Sequence, residues 1–322
     1  MKRLPVRLLL WLFTFLIGVL SVWLAFPIHD NSKISKLYTV SAETKAPTAR
    51  ENNAPRIADK VKLALDDIWI KEDNYRVYGY VITRKCAKNK NSINNCTLAI
   101  KLNGKTLSNF EVEPDDKDRL SYGMFNLLGG KNKQLIVHTY SGGAHCCYDY
   151  TIFDLKPYFR TLYDSTVLDS GNDIGNELVP IDLNGDGVFE FRQDVMAFDY
   201  EAPGGHATSS FPPAIFAYNK QKGRYTLATK LFPNFVIDEL KKNLDGLDGW
   251  VKDSAKYGSK ITREELDEIR VRETFLYWVY AGKRKEAWKY FDKNYNFEFR
   301  NKFRKDFKEI FSKDVTYKSI YG

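Results

Sequence analysis

One short segment has residue types and spacing that point directly to chemistry, the nonapeptide DLNGDGVFE at residues 182–190. Oxygen-bearing side chains occupy its positions 1, 3, 5 and 9, namely Asp182, Asn184, Asp186 and Glu190. Ca²⁺ takes about six to eight oxygen ligands, and closely spaced carboxylates on a tight turn supply several of them. The carbonyl of Val188 adds a further oxygen. We therefore expect a structural calcium site that makes this loop rigid, the alternative being a metal-free Asp-Gly turn.

The nonapeptide resembles the calcium loops of FG-GAP (integrin-type) repeats and of related bacterial β-propeller repeats. The resemblance covers residues 120–230, and it implies that the loop connects two strands and that the same four side chains ligate calcium. An EF-hand fits poorly, because its twelfth position would be Gln193 rather than Glu and the flanking segments are strand-like. No vacant ligand position or paired base indicates hydrolysis, so we expect the ion to have a structural role.

An internal repeat supports this interpretation. Residues 125–137 (FNLLGGKNKQLIV) align with residues 181–193 (IDLNGDGVFEFRQ) at an offset of 56, and each copy runs on into an aromatic loop that contains Gly-Gly. The first copy lacks the acids and has Asn126, Leu128, Gly130 and Gln134 at the corresponding positions. We therefore expect no ion in the first copy. Chance similarity between two Gly-rich turns is the alternative.

The first Gly-Gly loop, Ser141–Cys147 (SGGAHCC), is a second candidate site and is similar to a string in bacterial exported proteins with comparable Asp-rich loops. Its soft ligands for Zn²⁺ or Cu⁺ are His145, Cys146 and Cys147. His206 in the second Gly-Gly loop, or His138, would join them in space. A metal- or thiol-dependent enzyme is therefore the alternative function. A structural role is favoured, because adjacent strand residues point to opposite faces and make a poor catalytic dyad.

The other two cysteines, Cys86 and Cys96, flank the Lys- and Asn-rich segment AKNKNSINN between two predicted strands. A disulfide closing this loop would stabilise the fold by up to ~3 kcal/mol in the loop-entropy picture. We expect this pairing, which leaves Cys146 and Cys147 as a vicinal bridge or as free thiols. Four cysteines permit three pairings, so the others stay open.

Residues 1–28 are predicted to form a transmembrane anchor. Leu8–Phe26 is a run of 19 uncharged, mainly apolar residues, which spans about 28 Å as a helix. Basic residues precede the run, so the positive-inside rule leaves the N-terminus in the cytoplasm and places the bulk of the chain in the periplasm or outside the cell. A cleaved signal peptide is the alternative, although its cleavage site would be bulky. The polar residues 29–60 are a predicted linker.

Residues 61–232 form a predicted domain of mainly antiparallel strands without a long amphipathic helix. Tyr75–Thr83 alternates like a half-buried strand, and Asn103-Gly104 marks a hairpin turn within Cys96–Phe110. Further strands are predicted at Gln134–Tyr140, Cys147–Asp154, Phe159–Leu168, Phe189–Ala197, Pro213–Asn219 and Tyr225–Lys230. About three four-stranded blades are too few for a closed propeller, so a partial propeller, a sandwich or assembly between chains stays open.

Residues 233–322 change to helical periodicity and form a predicted small helical bundle. We expect a short helix at Asn234–Leu244 before the turn LDGLDG, and a longer helix that opens at the capping box Thr262-x-x-Glu265 and ends at Gly282. Another helix holds Ala287, Trp288 and Phe291. The last one carries an aromatic face spaced by four residues: Phe299, Phe303, Phe307 and Phe311.

The composition of the 322-residue chain bounds the class of protein. An apolar share of 43% with 15% aromatic residues excludes a mostly disordered chain, and only 4 Cys exclude a disulfide-dense scaffold. A mean hydropathy of −0.43 excludes a polytopic membrane protein. The net charge is +8, of which residues 282–322 contribute +6 through 12 Lys or Arg and 6 Asp or Glu. This end suits anionic lipid or an acidic partner, but an ordinary packing face is favoured.

Together these features predict an α+β, membrane-anchored extracytoplasmic binding protein with a structural calcium loop and no catalysis. The two Gly-Gly loops, Ser141–Cys147 and Glu201–Ser210, are predicted to face an unknown protein or small-molecule partner. A nucleic-acid partner is not expected on the far side of a membrane, and the sequence contains no recognisable nucleic-acid-binding module.

Overall fold

The structure is a computed structural model that describes residues 69–88, 94–112, 119–140, 148–168, 174–201, 205–256 and 261–322. All of these residues belong to one compact unit. The predicted anchor and linker, at residues 1–28 and 29–60, lie outside the described residues. Within the described ranges, no helix combines the length and the apolar character needed to cross a bilayer.

The described residues form three four-stranded antiparallel sheets, each a meander whose strands pair in sequence order. The first sheet contains β1 (Asn74–Val77), β2 (Tyr80–Lys88), β3 (Asn94–Leu102) and β4 (Lys105–Val112). The second contains β5 (Leu120–Phe125), β6 (Gln134–Tyr140), β7 (Tyr148–Asp154) and β8 (Arg160–Asp164), followed by the short helix α1 (Ser165–Leu168). The third contains β9 (Ile174–Ile181), β10 (Glu190–Val195), β11 (Pro213–Asn219) and β12 (Arg224–Leu227).

Five helices follow the sheets, which confirms the α+β class with a helical C-terminal region. They are α2 (Pro233–Lys256), α3 (Arg263–Tyr280), α4 (Arg284–Asn294), α5 (Arg300–Lys313) and α6 (Val315–Tyr321). The predicted capping box is present, since the Thr262 hydroxyl accepts from the Glu265 N–H and the Glu265 carboxylate accepts from the Thr262 N–H. Gly282 adopts the positive φ of 80° typical of the residue after a helix.

Two hairpin turns share one backbone geometry, but the sequence predicted only one of them. Asn103-Gly104 has φ values of 49° and 79° and joins β3 to β4, as predicted. The strand predicted at Tyr75–Thr83 is wrong as a single strand, because Tyr78-Gly79 turns with φ values of 52° and 88° and separates β1 from β2. Tyr tolerates positive φ poorly, so this turn has a weaker residue signature than Asn-Gly.

Several other predicted boundaries change in the structure. The strand predicted at Phe159–Leu168 stops at Asp164, where α1 begins, and the one predicted at Tyr225–Lys230 stops at Leu227 before a 3₁₀ turn. Strands β5 and β9 were not predicted, because Gly and Pro within them are residues that strands usually exclude. The helix predicted at Asn234–Leu244 instead continues through the LDGLDG segment to Lys256.

The second sheet is packed on both faces, because alternate side chains of its strands enter two different cores. On β6, Leu135 and Val137 belong to the core shared with the first sheet, whereas Ile136 belongs to the core shared with the third. All three side chains are buried. The second sheet therefore lies between the other two.

The third sheet and the helices share one core. The ring of Phe198, just after β10, contacts Tyr280 of α3 and Phe307 and Phe311 of α5 at centroid distances of 6.0, 5.8 and 5.7 Å. Phe303, Phe307 and Phe311 are buried, which confirms most of the predicted aromatic face of α5. Phe299 precedes the first turn and is 51% exposed, so it is not part of that face.

Candidate functional site

The predicted calcium loop connects β9 to β10, so strands rather than helices flank it. The Asp182 carboxylate accepts three backbone hydrogen bonds within the loop, from the N–H groups of Gly185 at 2.7 Å, Asp186 at 3.2 Å and Gly187 at 3.1 Å. Gly187 has a φ of 81°, a value that glycine adopts without strain. The Asp182 side chain thus stabilises the turn by accepting hydrogen bonds from backbone N–H groups later in the loop.

Two carboxylates of the loop converge on the side-chain amide of Asn184. Its Nδ2 atom donates to Asp186 Oδ2 at 3.2 Å and to Glu190 Oε1 at 3.3 Å. Its Oδ1 atom accepts from the Asp186 N–H at 2.9 Å. Two acidic oxygens, one from the middle of the loop and one from its end, therefore face one polar group.

Glu190 is the buried member of the set, with 3% of its surface exposed. Its Oε2 atom accepts from the Leu183 N–H at 2.8 Å, which fixes the carboxylate beneath the turn. The pKa of Glu190 is raised to about 7, chiefly by burial and also by the nearby carboxylates of Asp186 and Asp182, whereas the Leu183 N–H opposes the rise. A negative charge at this position is therefore poorly compensated by the protein alone.

The loop has the types of ligand that a hard cation requires, because calcium prefers carboxylate and amide oxygens. The ligand geometry is not assembled, however. Among the described side chains, no group of three or more His, Cys, Asp or Glu residues is arranged to hold a metal ion. Asp186 Oδ1 accepts from the Val188 N–H at 2.8 Å, so this carboxylate also caps the turn. The calcium assignment therefore stays a prediction.

The two aligned segments make the same buried contact at equivalent positions. The side-chain oxygen of Gln134 accepts from the Leu127 N–H at 2.9 Å, and that of Glu190 accepts from the Leu183 N–H at 2.8 Å. Gln134 begins β6 and Glu190 begins β10, the second strands of their sheets. The offset of 56 residues aligned these pairs in the sequence.

The two loops also touch each other. The Phe189 N–H donates to the Leu127 carbonyl at 2.9 Å. A Cβ atom added to Gly129, which has a φ of 71°, would lie 2.7 Å from the Gly187 carbonyl oxygen. Only glycine leaves room for this approach of one backbone to the other.

The predicted His-Cys site is described only in part, because His145, Cys146 and Cys147 lie outside the described residues. His138 lies on β6 within a stack of aromatic rings, 4.8 Å from Tyr150 and 5.4 Å from Tyr148 between centroids. His206 lies in the third-sheet region, in the 3₁₀ turn His206–Thr208 between β10 and β11.

His206 has a partner that the sequence did not reveal. Its Nδ1 atom lies 2.9 Å from each carboxylate oxygen of Asp199. A carboxylate at Nδ1 fixes the orientation of an imidazole and leaves Nε2 as the atom suited to proton transfer or metal ligation. The two residues are seven positions apart in the sequence, with Asp199 after β10 and His206 in a 3₁₀ turn, and no sequence motif predicted their contact.

Cys86 and Cys96 form a disulfide, which confirms the expected pairing. They lie directly opposite each other on β2 and β3, with Cys96 buried in the core of the first sheet. The bridge therefore ties two neighbouring strands together where they approach the loop between them.

The sequence matches no protein-family model, and neither a curated protein nor a solved structure is similar to it.

Proposed function

We propose that this chain is a membrane-anchored extracytoplasmic binding protein, with the Asp182–Glu190 loop as a structural calcium site. The observation that carries the calcium proposal is the convergence of Asp186 and Glu190 on the Asn184 amide, at 3.2 and 3.3 Å. Asp182, Asn184, Asp186 and Glu190, with the carbonyl of Val188, would hold the ion. Its positive charge would compensate a buried carboxylate that the protein alone leaves poorly stabilised.

The arrangement of the sheets supports a partial propeller-like fold, which the resemblance to FG-GAP repeats implies. Three four-stranded antiparallel meanders follow one another along the chain, and the second lies between the first and the third. Blades of propellers are four-stranded antiparallel sheets. The matched hydrogen bonds of Gln134 and Glu190 support the interpretation of the two loops as copies of one unit.

The extracytoplasmic location rests on the apolar run Leu8–Phe26 with its basic flank and draws support from the disulfide. Disulfides persist in oxidising compartments and are rare in the cytosol. A disulfide closing the Cys86–Cys96 hairpin suits a domain displayed beyond the membrane.

The calcium proposal is tested by thermal unfolding of the full-length chain in mild detergent, with either 1 mM CaCl₂ or a chelator. We expect calcium to raise the melting temperature, because a ligand at about 100 times its dissociation constant stabilises the native state by about 2.7 kcal/mol. An equal concentration of MgCl₂ is the ion control and should act weakly, since Mg²⁺ demands a tighter octahedral shell.

Two near-isosteric variants sharpen this test. Asp186→Asn keeps an acceptor for the Val188 N–H, and Glu190→Gln keeps one for the Leu183 N–H, but each removes a negative charge from the loop. Both should lose the calcium response while unfolding at or above the temperature of the calcium-free parent chain. A parent chain that ignores calcium, or variants that keep its full response, would refute the site.

A further inference from the structure

A cavity of about 300 Å³ opens where α2 and α3 meet the end of the second Gly-Gly loop. Ligand pockets for small molecules begin at about this volume. The side chains that matter for its chemistry are those of Thr208, Ser209, Asn243, Leu247, Trp250 and Glu273. Polar groups thus come from three separate parts of the chain, while Leu247 and Trp250 supply apolar surface.

Glu273 determines the chemistry of this cavity, because its side chain is ionisable and only 7% exposed. Its Oε1 atom accepts from the Asn243 amide at 2.9 Å, and that amide also donates to the Tyr277 hydroxyl at 2.7 Å. Tyr277 in turn donates to the Phe211 carbonyl at 2.9 Å. The carboxylate is therefore held in place by neutral donors. Burial raises the pKa of Glu273, and the hydrogen bonds to its carboxylate and the nearby charge of Arg272 oppose the rise.

Two positively charged side chains lie near the cavity. Arg272 is buried and donates to the Thr208 carbonyl at 2.8 Å, and Lys242 at the cavity wall lies 2.6 Å from the Glu239 carboxylate. The ion pairs of the described residues do not include Glu273. The charge of Arg272 acts on Glu273, but no described Lys or Arg nitrogen forms an ion pair with its carboxylate within 4.0 Å. A cation brought by a ligand would thus pair with this carboxylate directly, beside an indole ring that attracts positive charge.

We propose that this cavity binds a small primary ammonium compound with an apolar body, its ammonium group paired with Glu273 and its body against Leu247 and Trp250. The proposal deepens the binding role proposed above and rests on it, but it does not depend on calcium, because none of the lining residues belongs to the Asp182–Glu190 loop.

The proposal is tested by calorimetric titration of the full-length chain in mild detergent with phenethylamine, at a pH near 7. The neutral control ligand is 2-phenylethanol, which has nearly the same shape and lacks the charge. We expect phenethylamine to bind at least tenfold more tightly than the alcohol, because a desolvated ion pair forms only with the amine. Failure of the amine to bind, or equal binding of the two compounds, would overturn the proposal.

Glu273→Gln removes the charge while keeping an acceptor for Asn243, and it should weaken phenethylamine binding at least tenfold. Glu268→Gln is the matched control, since Glu268 is a buried carboxylate of the same helix that accepts from Tyr295 and does not line the cavity. Its binding should equal that of the parent chain. Equal losses in both variants would contradict the assignment.

A cavity-filling variant covers the case in which Glu273→Gln does not fold. Leu247 is only half-buried, so Leu247→Trp is tolerated and should abolish phenethylamine binding by occupying the space. Unchanged binding in this variant would overturn the proposal. Asp186→Asn should bind phenethylamine like the parent chain while losing its calcium response, so the failure of one proposal is distinguishable from the failure of the other.

Discussion

Four of the buried carboxylates in the described part of this protein accept hydrogen bonds from neutral donors. Each of four buried acids accepts a hydrogen bond from a backbone N–H, an amide or a tyrosine hydroxyl: Glu190 from Leu183, Glu268 from Tyr295, Glu273 from Asn243, and Asp314 from Tyr280. Such donors lower the cost of burying a charge without removing it. Glu190 belongs to the acidic loop and Glu273 lines the cavity. A cation bound at either place would compensate the remaining negative charge.

At the residue scale, the contact between the two repeat loops gives a sharp prediction. Gly129→Ala should lower the free energy of unfolding by about 2–3 kcal/mol, because alanine is strained at a φ of 71° and its Cβ would overlap the Gly187 carbonyl. Chemical denaturation measures the loss. Gly130→Ala is the neighbouring control: no heavy atom lies within 4 Å of its added Cβ, so stability should change by less than about 0.5 kcal/mol. Similar losses in both variants would contradict the loop contact.

At the element scale, helix α5 is held by one aromatic face. Phe307→Ala should cost about 3–5 kcal/mol, because its fully buried ring contacts Phe275 and Phe198 and would leave a cavity. Phe299→Ala removes the same side chain at a 51% exposed position and should cost less than about 0.5 kcal/mol. Thermal or urea unfolding of the two variants makes the comparison. Equal losses would mean that the ring of Phe307 is not packed as described.

The elements that sequence patterns predicted best are those whose signal is local. The β6 and β11 boundaries, the Asn103-Gly104 turn and the Thr262 capping box depend on residues close together in the chain, and all are confirmed. The helix α2 was predicted too short, because two glycines marked a turn. Packing of its apolar face, which includes the buried Leu240, outweighs a propensity cost of about 1 kcal/mol per glycine.

The candidate sites also differ in how local their sequence signal is. The acidic loop was visible because all of its side chains fall within nine consecutive residues. Asp199 and Glu273 were not predicted, because their partners depend on how separate segments meet. Asn243 lies thirty residues from Glu273, and only the packing of α2 against α3 brings them together. No spacing in the sequence encodes that contact.

At the scale of the whole molecule, the helices complete the core of the third sheet. Truncation after residue 232 should therefore abolish cooperative thermal unfolding, because Phe198 would lose its contacts with Tyr280, Phe307 and Phe311. Circular dichroism melts and binding of a hydrophobic dye compare this fragment with the full chain. We expect dye binding and a broad melt in the fragment. A sharp melt without dye binding would show that the sheets fold independently.

The backbone contact between Gly129 and Gly187 also limits how the two loops can diverge. A residue inserted in either loop displaces the other loop and the start of the strand that follows it. A side chain gained at Gly129 displaces the second loop and the start of β10. Natural variants of this chain should therefore change the two loops in concert, with substitutions in one accompanied by compensating ones in the other.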